Sequence, residues 1–562
     1  MAFVSQTARI IEGQPGSEER PVRPRPIASQ PMSTPVRRSA TWLFLVAYGL
    51  FLAVAWTLSS PVGASPDEQA HIDYAWGTVT GQTIVGEHLV TIPMGGTATQ
   101  IPVGGTATQI QVPNKLLQSP DSVCYRFRVG TPTVSCSPIP ADTMKLVTRA
   151  SYMSRYPPLF YVVEGVVLKM ATALDLSGPY VLYGARLVAA MLNLLALGYG
   201  LHLLWRRFPH QVVLFATLLA LPASAWFLAA SVNPNGLEIT AAFLLAAGVL
   251  SLRVDDALGV RLRAAVFAIP LGTLLLAWSR PLSWVWASLI LAMLLLPTAQ
   301  LDGESWIRRL PVRRLGAVAF AITALGLSSA MAWFVYALQI RGSEASPASL
   351  DRTVFTGLKA VGGIFLLLLH SGTLVSDQIG MFGWLDTPLP SVAILSWAFV
   401  AGVAVVIWVV GRNTLVPRWS VGAILGIGYL AALAHEFIGA WGWQGRYLLP
   451  LTAAVWVFVL PGLANGLERL AALRRVVSWM LGLLMAVNAL SVVWFLFRNV
   501  YGVKSFGRRL PPAPLPIGGM KWIPPLGQGV VLSLVALALV CGLAALWMLR
   551  SEHRDAERQF SP

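Results

Sequence analysis

The sequence predicts an all-α polytopic membrane protein of about 12 transmembrane helices with a long first extracytoplasmic loop. Three observations carry this reading. The 562 residues are 56% hydrophobic and only 12% charged. Apolar runs close to the ~20 residues that a helix needs to cross a bilayer recur along the chain. Basic pairs such as Arg206-Arg207, Arg308-Arg309, Arg313-Arg314 and Arg474-Arg475 fall in short connections between those runs, as topology signals do. The formal net charge of +16 is therefore explained by orientation and headgroup contacts, and nucleic-acid binding is excluded as its purpose.

Residues 1–39 are polar, rich in Pro, Ser and Arg, and read as a disordered cytoplasmic tail. Residues 40–550 form one transmembrane domain, and 551–562 a second cytoplasmic tail. The spans are expected at 41–59, 180–204, 211–230, 236–252, 264–280, 282–299, 315–339, 391–410, 420–438, 447–464, 476–496 and 529–549. The first lacks a following small-residue cleavage site and is read as a retained signal anchor. This path puts both termini inside and makes 61–179, 341–390 and 497–528 outer segments, so the chemistry is expected on the outer face.

Two more apolar stretches, 157–173 and 356–374, would reverse the orientation if they crossed. The first carries Glu164 and Lys169, and both are read as outer-surface or re-entrant helices; 356–374 is also long enough to cross. In the first outer loop, Cys124 and Cys136 lie where thiols oxidise, so a disulfide is expected, with two unpaired thiols as the alternative. Cys541 in the last span is a small packing residue. The nonapeptides 92–100 and 101–109 are a local duplication, too short to stack a solenoid core.

The candidate chemistry begins just past the first span, at Ser65-Pro66-Asp67-Glu68 followed by His71 and Tyr74. Ser65, Pro66 and Glu68 match a helix-capping box, which would make both acids purely structural. On a continuing helix Asp67, His71 and Tyr74 share a face and Glu68 points about 100° away. Asp67 on that face suits proton abstraction from a hydroxyl, or, with Glu68, ligation of a divalent ion such as Mg2+ or Mn2+; His71 would orient an acid or a phosphate.

The remaining candidates are cations and turn residues at the same membrane depth. Arg155 and Tyr156 open the 157–173 helix, Arg186 lies near the outer end of the second span, Arg280 at the outer end of the fifth, and Arg446 in Trp441-Gly442-Trp443-Gln444-Gly445-Arg446-Tyr447. Singly, each serves as an interfacial anchor; together they suit an anionic, lipid-linked substrate. Asn235 and Glu238 sit in the turn between the third and fourth spans, and Asp386 in the aromatic segment 377–390, a composition suited to sugar hydroxyls. No nucleotide-binding motif or nucleophile elbow occurs, so an activated substrate would arrive on a lipid.

The acidic motif after the first span, the long outer loop, Tyr156-Pro157-Pro158-Leu159 and Gly184-Ala185-Arg186-Leu187 leading to Arg206-Arg207 resemble the GT-C group of polyprenyl-phosphate-sugar-dependent glycosyltransferases, especially protein mannosyltransferases and lipid A aminoarabinose transferases, over about the first 210 residues. Ser65-Pro66-Asp67-Glu68-Gln69-Ala70-His71, Asn233 to Glu238, Gly383-Trp384-Leu385-Asp386-Thr387 and Gln444-Gly445-Arg446-Tyr447 resemble an actinobacterial and firmicute family of membrane proteins labelled a domain of unknown function, across most of the chain. The resemblance implies transfer of a sugar from a polyprenyl-phosphate carrier to an envelope glycan, lipid or protein. It makes Asp67 the acceptor-activating base or metal ligand and Glu68 its partner. The duplicated loop and the lack of a soluble domain after the last span depart from the GT-C pattern and leave the acceptor open. Two other classes stay in play: a flippase or transporter of a lipid-linked glycan, and a noncatalytic envelope-assembly partner. The first would call for internal repeats and midspan acids, of which the sequence shows neither.

Overall fold

The computed structural model describes residues 35–61, 63–83, 89–92, 105–116, 143–254, 260–296, 313–341, 372–411, 415–437, 443–470, 472–503, 513–516, 518–520 and 522–560. Most of the N-terminal tail, Cys124 and Cys136, most of the duplicated nonapeptides, Arg308-Arg309 and most of 356–374 lie outside the described residues.

In chain order the helices are α1 (Pro35–Ser59), α2 (Glu68–Val79), α3 (Leu159–Ala173), α4 (Gly178–Trp205), α5 (His210–Ala220), α6 (Ala223–Ala229), α7 (Pro234–Val254) and α8 (Val260–Ala277). There follow α9 (Ser283–Ala292), α10 (Arg313–Arg341), α11 (Ser391–Val410), α12 (Arg418–Phe437), α13 (Leu449–Phe458), α14 (Leu460–Arg469), α15 (Leu473–Tyr501) and α16 (Gln528–Phe560). Among the described residues, 7 helices are long and apolar enough to cross a membrane, and up to 9 spans result if each bent pair counts as one. The remaining expected spans coincide with shorter apolar helices, α8, α9 and α12.

The bends have local causes. Helices α5 and α6 meet at 74° around Leu221-Pro222, where proline lacks an N–H and drives the preceding residue out of the α region. Helices α13 and α14 meet at 45°, with Pro461 at the start of the second. The 157–173 stretch gives the 15-residue α3, shorter than a span, which packs on α2 and α4. Its Glu164 is fully buried, and burial first, then the charge of Glu68, pushes the carboxyl well above its ordinary range.

Helix α7 is the hub: 83% of its most apolar window is buried, against α4, α8 and α13, whereas α10 buries only 11% and turns its apolar side chains outward. Gly236 lets α7 approach α6, since a Cβ there would stand 2.6 Å from the Ala229 Cα. Helix α1 runs beside α16.

The chain is mostly helical rather than all-α. Strands β1 (Leu89–Ile92), β2 (Gly105–Pro113) and β3 (Leu146–Ser151) form an antiparallel sheet in that order, with Ile92 opposite Gly105 and Thr108 opposite Ser151. The second nonapeptide thus starts a strand, as its alternating β-branched threonines favour. A small hairpin pairs β4 (Met381–Phe382) with β5 (Thr387–Pro388).

Long-range bonds sort the connections into two groups. Gln211 donates to the Arg474 carbonyl at 2.9 Å, and Arg253 donates to the carbonyls of Met293, Leu296 and Leu415. At the other ends, Asn499 donates to Ser59 O at 3.0 Å, Trp384 Nε1 to Gly63 O at 2.8 Å and Asn233 to Pro66 O at 3.2 Å. An alternating path through the bilayer requires this division.

Candidate active site

The turn after α1 places two neighbouring acids in different surroundings. Asp67 has φ 60° and ψ 5°, the left-handed region that Asp enters more readily than most residues, and it is the N-cap of α2. The expected capping box is absent: the helix begins at Glu68, and the buried Ser65 hydroxyl has no hydrogen-bond partner. Glu68 reaches away from its own helix end. It accepts from Arg186 Nε at 2.7 Å and Nη2 at 2.5 Å and from the Val232 N–H at 3.1 Å, and both side chains of the pair are 0% exposed. Arg186 also donates to the carbonyls of Ser60 and Pro61, so one guanidinium locks the α1–α2 turn to α4.

Asp67 turns the other way. Its Oδ1 accepts from the Tyr152 hydroxyl at 2.5 Å, its Oδ2 lies 3.9 Å from Arg446 Nη2, and its side chain is 24% exposed. Tyr152 opens a 3₁₀ turn, Tyr152–Arg155, whose cap Ser151 accepts from the Met153 N–H at 3.3 Å and donates to the Ala70 carbonyl of α2 at 2.8 Å. Ser151 thereby sets Tyr152 against the acid.

Beside this pair lies a cavity of about 330 Å³, lined by Tyr152, Arg155, Tyr156, Glu238, Arg280 and Tyr447 on its polar side. Leu282, Trp286, Phe334, Ala337, Leu338 and Trp443 supply the apolar wall. Arg280 spans the polar side: Nη1 is 3.4 Å from Glu238 Oε2, Nη2 is 3.5 Å from the Tyr156 hydroxyl, and the guanidinium carbon stands 4.3 Å from the Tyr447 ring centre. Arg446 approaches the same ring at 5.5 Å. Glu238 accepts a 2.5 Å bond from Ser283, which fixes the carboxylate that holds Arg280. The Nε groups of Arg280 and Arg446 are buried without a hydrogen-bond partner, leaving two cationic donors for an anion to satisfy.

Behind the acid, His71 Nδ1 lies 2.8 Å from the Tyr161 hydroxyl, and its ring packs edge-on against Tyr156. Burial first, then the positive charges of Arg280 and Arg446, hold its pKa well below the ordinary imidazole value. His71 is therefore neutral at pH 7 and orients groups rather than neutralising a phosphate. Tyr74 donates to the Tyr156 carbonyl at 3.1 Å.

These residues come from the α1–α2, α6–α7 and α8–α9 connections, the turn before α13 and the segment leading into α3, all of which an alternating path puts on one side of the membrane. A family model described as "Predicted membrane protein (DUF2142)" matches residues 50–457, spanning every residue of this site. The chain belongs to the DUF2142 family.

No curated protein matches the sequence of this DUF2142 chain. Among solved structures it is similar to ArnT from Cupriavidus metallidurans in the apo state, at 16% identity and a TM-score of 0.30, covering 71% of this chain and 66% of that one. It is also similar to the oligosaccharyltransferase AglB from Archaeoglobus fulgidus in complex with an inhibitory peptide and a dolichol-phosphate. Here the identity is 13% and the TM-score 0.35, with 82% of this chain and 55% of that one covered. The DUF2142 chain thus spans just under two thirds of the first structure and about half of the second.

Of the residues singled out from sequence, the DUF2142 structure gathers Asp67, His71, Arg155, Tyr156, Glu238, Arg280 and Arg446 around the cavity. It places five elsewhere. Glu68 and Arg186 are sealed in their mutual pair. Asn235 is buried in the first turn of α7, where its N–H bonds the Asn233 side chain at 3.0 Å. Asp386 sits in the β4–β5 turn and accepts from Thr387 at 2.9 Å; burial lifts its pKa to about 6 against the pull of Arg498. Gln444 caps the 3₁₀ turn that carries Arg446, its buried Oε1 without a partner. Sequence reading missed Tyr152, Tyr447 and Ser283. Tyr447 closes the marked motif 441–447, and Tyr152 and Ser283 each lie three residues from a marked arginine, so proximity was the one signal that could have found them.

The donor set does not suit a divalent ion shared by Asp67 and Glu68. Glu68 has both oxygens engaged by Arg186, Asp67 faces Arg446, and among the described residues no three His, Cys, Asp or Glu side chains converge.

Proposed function

We propose that this protein is an integral membrane glycosyltransferase that moves a sugar from a polyprenyl-phosphate carrier to a cell-envelope glycan, lipid or protein on the outer face of the membrane. The observation that carries the reading is Asp67, held by Tyr152 at 2.5 Å beside a cavity lined by Arg155, Arg280 and a set of apolar residues. The volume lies at the low end of the about 300–1,000 Å³ typical of small-ligand sites, room for a sugar-phosphate head but not for its carrier chain. Phe334, Ala337 and Leu338 belong to α10, many of whose other apolar side chains turn outward, so a carrier tail would leave the cavity along that helix into lipid.

In this reading the acceptor hydroxyl attacks the anomeric carbon and its proton passes to Asp67. The bond from that carbon to the phosphate oxygen breaks, its electron pair leaving with the phosphate. Arg280 and Arg446, each with an unsatisfied Nε, stabilise the charge that develops there. With both termini inside, as the basic connections favour, the site faces out, where a lipid carrier is the natural source of activated sugar.

The test is sugar transfer by purified protein in detergent, using a panel of polyprenyl-phosphate sugars and envelope acceptors, with and without divalent ions, beside Asp67→Asn. Product from wild type and none above background from the variant is expected. Full transfer by a folded Asp67→Asn protein overturns the assignment of the base, and no product with any donor overturns the transferase.

A further inference from the structure

We infer that Tyr152 is a catalytic residue that relays the acceptor proton to Asp67; the inference rests on the transferase reading above. Tyr152 lines the cavity whereas Asp67 is not among the described residues that do, and the Tyr152 hydroxyl already donates to Asp67 Oδ1 at 2.5 Å. The other carboxylate oxygen is turned toward Arg446, 3.9 Å away. An acceptor hydroxyl held in the cavity therefore meets the tyrosine oxygen before it meets the acid.

A phenol both donates and accepts, so it can take one proton as it gives up another. As the acceptor oxygen bonds to the anomeric carbon, its proton moves to Tyr152 Oη while the original Tyr152 proton moves to Asp67 Oδ1. The phosphate leaves with the electron pair of the broken carbon–oxygen bond. Tyr152 ends neutral, Asp67 ends protonated, and no further reactant is required.

The surroundings are built for such a task rather than for packing alone. Ser151 bonds both to α2, through Ala70 O, and to the turn that carries Tyr152, so acid and phenol are set by one hydroxyl. The left-handed backbone of Asp67 turns its carboxylate to the tyrosine instead of into its own helix end, where the first N–H groups go without a side-chain cap.

The experiment pairs kinetics with a probe that needs no substrate. In Tyr152→Phe, kcat for transfer is expected to fall about 10²-fold with KM within about twofold, and the rate in H2O/D2O mixtures, curved in wild type because two protons move together, should become linear. Unchanged kcat, or a raised KM alone, makes Tyr152 a binding or packing residue and overturns the relay. Separately, 3-fluorotyrosine at position 152 should show a 19F shift that moves on Asp67→Asn. If it does not move, the phenol–carboxylate bond is absent in solution and the relay falls while the transferase stands. If it moves but wild type transfers no sugar from any donor, the transferase reading has failed and the relay with it.

Discussion

Asp67 and Glu68 are neighbours in sequence, yet their surroundings are opposites. Glu68 is sealed: a two-point bond to Arg186, a backbone N–H from Val232, and no exposure for either partner. Asp67 is held at one oxygen by a tyrosine and loosely at the other by Arg446, a quarter exposed, at the edge of a cavity where the Nε groups of Arg280 and Arg446 have no hydrogen-bond partner. An acid with both oxygens engaged and shut off from solvent can hold a fold together, whereas an acid with capacity to spare can accept a proton. In the proposed reading the two-acid motif is thus one structural residue and one chemical residue, separated by the backbone turn at Asp67.

The largest way to break this contrast is on the sealed side. Glu68→Gln or Arg186→Met should each cost about 3–5 kcal/mol by stranding a buried charge, read as loss of monodisperse protein in detergent. The double variant Glu68→Gln, Arg186→Met should recover part of that loss. On the cavity side, Asp67→Asn should elute and melt as wild type does, since Asn also tolerates a left-handed backbone, while transfer falls by about 10²–10⁴-fold. Equal melting losses at the two positions would erase the distinction.

A third acid on α2 sharpens it. Asp73 is buried, and burial lifts its pKa from 3.8 to about 6 despite Arg149 and Gln69. A carboxyl whose pKa is higher folded than unfolded binds more protons when folded, so its contribution is complete below its ordinary value and is lost as pH rises through about 6. Asp386 has the same sign and the same upper limit. Between pH 5 and pH 8 these two acids should therefore withdraw on the order of 1–3 kcal/mol of stability, opposite in sign to the buried neutral His71, so Asp73→Asn with Asp386→Asn, followed by melting, should lose that much less than wild type as pH rises over this range. The smallest effect is expected from Arg280→Lys, which keeps the charge but loses the planar fork over Tyr447: KM for donor should rise roughly tenfold with little change in melting.

Much of the helical framework was legible because apolar run length is a direct consequence of bilayer thickness, and each expected range coincides with an apolar helix or a bent pair. The bends at Leu221-Pro222 and before Pro461 were marked by proline but are set in angle by packing. The sheet was not legible, because β1 has only four residues and β3 lies far beyond β2 in the chain. For the site, residue type and depth sufficed for Asp67, Arg280 and Arg446, since charge at that depth calls for a reason. The roles within the motif were not readable. A capping box and a buried ion pair look alike in Ser65-Pro66-Asp67-Glu68, and only the distant Arg186 and Val232 decide between them. Tyr152 escaped because tyrosine is ordinary near an interface, and its pairing with Asp67 spans 85 positions.

The turn between α1 and α2 is among the earliest parts of the chain to be synthesised and among the last to be completed. Gly63 O waits for Trp384, 321 residues later, and Ser59 O for Asn499, 440 residues later. At about 5–20 residues per second, the first of these delays alone lasts roughly a quarter of a minute to a minute. Tyr152 emerges well within that time, but Arg446, which faces the other oxygen of Asp67, follows later than Trp384. In the transferase reading a nascent chain therefore cannot act before its C-terminal half is inserted, and a truncated product is expected to be inert however well its first helices have entered the bilayer.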